Sequence, residues 1–196
     1  MSLLSLNLLL PMALASIRQP REAFGRLLRL DLPAGVLWQA LLLVVVISVL
    51  MAEATALLVR PDPAPDNAIV VPVPFVFGAI QFAVLALTVL AIDRIGRAMG
   101  GSGTLPGALL AVVWLQFVMI CLQVVQSLVI ILIPPLGGLI VMGGLVLFLY
   151  LLTNFIAELH GFTSRGRVFG MIVFVLIGVA LALSFLLTLL GVTVSR

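Results

Sequence analysis

Residues 105–157 read LPGALLAVVWLQFVMICLQVVQSLVIILIPPLGGLIVMGGLVLFLYLLTNFIA, without a single Asp, Glu, Lys or Arg. A helix crosses about 30 Å of hydrocarbon with about 20 apolar residues, so this tract is too long for one crossing. Pro134-Pro135 and Gly137-Gly138 punctuate it, and proline and glycine are the residues that end helices and make turns. The spacing predicts two membrane helices, 105–133 and 136–157, joined as a tight hairpin. The apolar runs are continuous and lack the period-two alternation of a membrane barrel.

Working outward, residues 36–58, 70–92 and 168–192 are also long and apolar enough to cross. The fold expected is all-α, a five-transmembrane-helix bundle over residues 34–196, preceded by a cytoplasmic amphipathic interfacial segment over residues 1–33. Composition agrees. Of 196 residues 64% are hydrophobic and 9% charged, against roughly 45–50% and 25% in soluble domains. A soluble globule is excluded, and a lone cysteine, Cys121, excludes a disulfide scaffold.

All ten basic residues are arginines, and their placement sets the expected topology. Arg18, Arg21, Arg26 and Arg29 precede the first span, Arg94 and Arg97 follow the second, and Arg165 and Arg167 follow the fourth. Only Arg60 and Arg196 lie on the other side. Basic residues near span ends stay in the cytoplasm, which predicts a cytoplasmic N-terminus and an exoplasmic C-terminus. The connection over residues 60–71, RPDPAPDNAIVV, reads as a stiff polar exoplasmic loop.

Residues 3–15 are apolar and end in Ala13-Leu14-Ala15, like a signal cleavage site, but no basic residue precedes them and Pro11 interrupts them. The preferred reading is a retained segment. Phe24, Leu27 and Leu28 recur at helical spacing, with Arg18, Arg21 and Arg29 toward another side and Glu22 paired to Arg26 at i,i+4. A helix of this kind lies on the leaflet, where Arg18, Arg21, Arg26 and Arg29 are the candidate membrane-surface contacts, each contributing about 1 kcal/mol at an anionic surface. The same arginines also enforce topology.

Polar residues inside a membrane are costly and mark places to look for function. Glu53, late in span one, is a cation or proton site or else a partner of Arg60 or a neighbouring helix. Gln116, Gln123 and Gln126 fall along one side of span three and read as helix-to-helix glue, worth about 0.6 kcal/mol per bond. Asn154, Glu158 and the single histidine, His160, gather where span four ends, with Asn154 and Glu158 on one face and a pairing to Arg165 or Arg167 expected. One histidine and one distant cysteine give no metal-ligand spacing, so neither metal nor cofactor is expected.

Gly100-Gly101-Ser102-Gly103 is similar to the Gly-x-Ser-Gly string of rhomboid proteases. A dyad with His160 needs a sheltered cavity, whereas these glycines read as a flexible, wet turn, and the chain lacks that family's sixth span. Small residues mark expected close packing, Gly137 with Gly144 on span four and Gly178 with Ala182 on span five. Trp38 and Trp114 read as interfacial anchors, Trp114 the deeper.

The lead-in Asp31-Leu32-Pro33-Ala34-Gly35-Val36-Leu37-Trp38 and the stretch TNFIAELHGFTSRGRV, residues 153–168, together with this layout, resemble the Yip-domain family, and more closely its short bacterial members. The resemblance implies the five-span fold and a membrane organising or protein-interaction role, with no catalytic residue. Eukaryotic members are implicated in vesicle traffic and prenylated GTPase binding, but their long polar N-terminal region has no counterpart here, and Pro33 precedes Gly35 instead of following a glycine. The lysine-free basic set points to a GC-rich bacterial genome. The expectation is a non-enzymatic inner-membrane scaffold or interaction protein, whose partners are the lipid bilayer and other membrane proteins or itself, without nucleic acid. The alternative is a small transporter or channel subunit using Glu53 and the glutamine line.

Overall fold

The computed structural model describes residues 6–59 and 73–189, all in helices and the short turns between them, without a strand. Two short helices come first, α1 (Leu6–Arg18) and α2 (Pro20–Leu28). Five long ones follow, α3 (Ala34–Val59), α4 (Val73–Ala98), α5 (Leu105–Leu132), α6 (Gly137–His160) and α7 (Arg165–Leu189). Four segments, carried by α3, α4, α5 and α6, are long and apolar enough to cross a membrane. At 1.5 Å per residue these helices are roughly 36–42 Å long, so their ends reach the headgroups. The protein is membrane-embedded. The loop over residues 60–71, Arg60 and Arg196 lie outside the described residues.

The hairpin forms where proline forces it. Ile133 N–H donates to Val129 O at 2.8 Å, closing α5, and Pro134–Leu136 make a single 3₁₀ turn into α6. Gly161, at φ +71°, ends α6 in the left-handed conformation that glycine adopts without strain.

α5 is the central helix. Its first turns, from Gly107 through Leu115, are buried on every side, as befits a helix surrounded by others. Lipid is as apolar as leucine, so helices associate in a membrane by close packing rather than by escape from water. The small residues Gly107, Ala108 and Ala111 supply that closeness: a Cβ on Gly107 would lie 2.4 Å from Leu159 of α6. The core gathers at this arginine-rich end, where Leu41, Val89, Leu151 and Phe155 are fully enclosed. α3, α4 and α6 expose large apolar residues toward their far ends, among them Leu57, Phe75 and Leu139.

α1 and α2 share this core, so part of the apolar face read for the leaflet is covered by protein. Phe24 is fully buried, its ring stacked on Phe155 of α6 at 4.8 Å, with Ala23 and Leu27 buried beside it. Helical periodicity reveals an apolar face and not what covers it; here the cover is protein. Trp114 is likewise no surface anchor. It is buried and donates its Nε1–H to Ser16 Oγ of α1 at 2.9 Å, while Ser16 donates to Met12 O. Trp38 is half-buried, with its ring 6.2 Å from Phe82.

Candidate functional site

The end of α4, the turn Gly100–Thr104 and the last turn of α6 converge on one imidazole. His160 is 3% exposed. Its Nδ1 lies 3.2 Å from Ile156 O, and its ring stacks on Phe162 at 5.5 Å. With Nδ1–H donating to that carbonyl, Nε2 is left as a lone-pair acceptor, and it has no partner among the described residues. Three glycines form the socket. A Cβ on Gly96, Gly101 or Gly103 would come within 2.0, 2.6 and 2.6 Å of ring atoms. The glycine-rich string is thus no loose turn, as expected from sequence, but a close wall whose missing side chains make room for the ring.

One turn before Gly96 on α4 stands Asp93, only 2% exposed. Arg97, at i+4, caps its Oδ2 in an ion pair, and Arg94 Nε approaches the same oxygen at 3.8 Å. Oδ1 has no partner among the described residues. Asp93 and the imidazole thus each leave one buried polar atom without a partner among the described residues, and buried polar atoms of this kind are places for an ordered water. No group of three or more metal-ligating side chains is found among the described residues.

Ser102 meets the histidine only through its backbone, its N–H donating to His160 O at 3.3 Å. The hydroxyl makes no hydrogen bond to the imidazole among the described residues, and the side chain is exposed. The protease-like dyad is not assembled.

The pairing of Glu158 to Arg165 or Arg167 expected from sequence does not form. Glu158 Oε2 accepts from Arg21 Nε of α2 at 3.1 Å, and Arg21 Nη2 donates to Phe162 O at 2.8 Å. Arg21 therefore ties α2 to the α6–α7 turn. Both side chains are about one-third exposed, so the pair is worth about 1 kcal/mol after solvent screening. Double-mutant cycles on Arg21→Gln and Glu158→Gln, read by thermal unfolding in detergent, should give a coupling near this size that shrinks as salt is raised. Purely additive losses would show that the pair contributes nothing. Of the other N-terminal arginines, Arg26 pairs with Glu22 at 3.1 Å as expected, and Arg18 and Arg29 are exposed.

Several of the intramembrane polar residues bond between helices. Gln123 Nε2 donates to Ser48 O of α3 at 3.3 Å, and Gln126 Nε2 to Ile140 O of α6 at 3.2 Å, so the two reach different helices. Gly144 makes room for Gln126, since a Cβ there would lie 2.4 Å from its Nε2. Gly137 is less tightly met, since a Cβ there would lie 3.3 Å from Ile130. Gln81 donates to Ser48 Oγ at 2.8 Å, and Thr55 and Ser127 share a 2.7 Å bond. Gln116 is half-buried. Glu53 is half-buried with no ion pair among the described residues, and its expected partner Arg60 lies outside them. Asn154 is buried and donates to Tyr150 O on its own helix at 2.8 Å. Nothing lies within 4 Å of a Cβ on Gly178, and the side chain of Ala182 is outside the described residues.

Asp93, Arg97 and the Gly96 wall were missed from sequence. The available signal was an acidic residue late in an apolar helix with arginine at i+4.

Compared with known families, residues 14–187 match the Yip1 domain. The chain belongs to the Yip1 domain family. No curated protein and no solved structure matches it. The Yip1 match begins inside α1 and ends inside α7, so it takes in the histidine socket, the Asp93 ion pair and the Arg21 tie. In this Yip1-domain protein the lead-in to α3 carries Asp31 at φ +43°, a left-handed turn that swings the chain from α2 into the first span.

Proposed function

We propose that this Yip1-domain protein is a non-enzymatic membrane organising or interaction factor, a scaffold for other membrane proteins or for further copies of itself. One observation carries the reading: the Nε2 groups of Gln81, Gln123 and Gln126 each donate across to another helix, and Thr55 and Ser127 bond to each other, bonds that fix how the helices pack. The exposed apolar residues of α4, including Phe75, Phe77 and Leu87, offer a face for lipid or a neighbouring protein. In this reading α7 is the fifth crossing and the chain sits in a bacterial inner membrane, its N-terminus cytoplasmic and its C-terminus periplasmic. The arginine distribution supports that orientation. No cofactor and no nucleic acid take part.

The test is gentle extraction of the tagged protein with lipid retained, followed by identification of what co-purifies in near-stoichiometric amount. A recurrent membrane-protein partner, or a defined homo-oligomer whose disruption removes the cellular phenotype, is the expected result. A lone monomer that catalyses solute flux in proteoliposomes would overturn the reading.

A second reading, a small transporter or channel subunit, is favoured by a cleft of about 350 Å³ between α3 and α5, lined by Thr55, Gln123, Gln126 and Ser127. Glu53 is on the same helix but not in the cleft lining, since a half-turn from Thr55 places it on another side of α3. Proteoliposome flux lost in both Glu53→Gln and Gln126→Leu would support it, and flux indifferent to both would remove it.

A further inference from the structure

α6 and α7 diverge from the turn at Gly161 and leave a groove of about 460 Å³ between them, within the range of small-ligand sites. Val146, Leu149 and Phe169 make its walls apolar, and Arg165 and Gly166 stand at one end. Three features of that end fit an anion. Arg165 is exposed and has no ion pair among the described residues. α7 starts there, and the first amides of a helix lack intrahelical acceptors. Ser164 takes one of them, its Oγ accepting from Arg167 N–H at 3.3 Å, while its carbonyl accepts the first bond of the helix itself, from Val168 N–H at 3.4 Å. The amides of Arg165 and Gly166 remain. Nothing lies within 4 Å of where a Gly166 Cβ would stand, so a ligand can approach this backbone closely.

A second observation comes from the floor of the groove. Asn154 lines it and is 2% exposed, and its Oδ1 has no partner among the described residues. A buried amide oxygen without a donor is costly, and an ordered water at the level of the ligand's ester groups supplies one.

An apolar slot with a cationic mouth matches one class of molecule in charge and polarity. We propose that the α6–α7 groove binds one anionic phospholipid, an acyl chain along Val146 and Leu149 and the phosphate on Arg165 and the free amides that open α7. This goes beyond the scaffold role and does not depend on which protein partner the chain serves. Arg165 adds to the usual topology-setting duty of such an arginine a specific contact.

The full chain, delipidated in detergent, is exposed to equal amounts of phosphatidylglycerol and phosphatidylcholine and examined by native mass spectrometry. One phosphatidylglycerol per chain should be retained with at least about tenfold preference, or about 1.4 kcal/mol. Arg165→Gln should cut that preference about fivefold or more, Arg165→Lys should keep most of it, and Gly166→Val should weaken it by blocking the amides. Val146→Trp, at an exposed position in the groove wall, should reduce retention of both lipids and serves if Arg165→Gln does not fold. Equal retention of the two lipids by the unaltered chain, a preference untouched by Arg165→Gln, inorganic phosphate competing as well as lipid, or a second copy crosslinked in the groove would each overturn the proposal.

Discussion

Gly96→Ala is expected to unseat His160 and lower the thermal midpoint of the detergent-solubilised protein by roughly 2–12 °C. The added Cβ would stand 2.0 Å from Nε2, 2.4 Å from Cε1 and 2.5 Å from Cδ2, closer than non-bonded carbon atoms approach. The ring has little room to retreat, being held by Ile156 O on one side and Phe162 on another, with Gly101 and Gly103 closing the socket. Overpacking of this kind costs about 1–3 kcal/mol, and in a chain of this size 1 kcal/mol is about 2–4 °C. The comparison that isolates the cause is His160→Ala in the same background. Removing the ring removes the clash, so the double variant should be more stable than the two single losses predict, by about 1–3 kcal/mol. If the losses simply add, the socket is not what the glycine serves. Gly143→Ala is the control. That position is helical with nothing within 4 Å, and alanine there should be neutral or stabilising by up to about 1 kcal/mol.

Phe24→Ala should release α2 while leaving the span bundle folded. Phe24 is fully enclosed and stacks on Phe155, and truncating such a ring costs about 3–5 kcal/mol. The loss falls locally. α2 has nine residues, too few for a helix to persist unaided, and apart from Ala23 and Leu27 its main anchor is Arg21 on Glu158. A loss of about 3 kcal/mol raises the undocked population by about two orders of magnitude. Trypsin cleavage after Arg26 and Arg29 should accelerate accordingly, while cleavage near Arg94 and the thermal midpoint of the bundle change much less. Phe155→Ala, on α6 itself, should lower both. Unchanged trypsin rates in Phe24→Ala would mean that α2 is held by something other than this stack.

Both predictions rest on features that could not be read from residue order. The hairpin at Pro134-Pro135, the apolar lengths of α3 to α6 and the Glu22–Arg26 pair follow from local rules of composition, punctuation and helical spacing, and they were legible. The cover on Phe24 was not, because helical periodicity is silent about the partner of an apolar face, and in a membrane both lipid and protein can serve. Glu158 was assigned to nearby Arg165 or Arg167 because sequence proximity was the only guide, yet its partner is 137 residues away. The socket was hidden for a different reason. Glycine in a short connection usually means conformational freedom, and only the position of the imidazole shows that Gly101 and Gly103 are there for lack of volume.

The separation of Arg21 from Glu158 has a consequence in time. α2 leaves the ribosome long before the helix that covers it, and at about 5–20 residues per second the interval is on the order of ten seconds. Until α6 is made, Phe24 lacks the Phe155 ring it stacks on and Arg21 lacks its carboxylate, so the docking of α2 is timed by the synthesis of a helix near the other end of the chain.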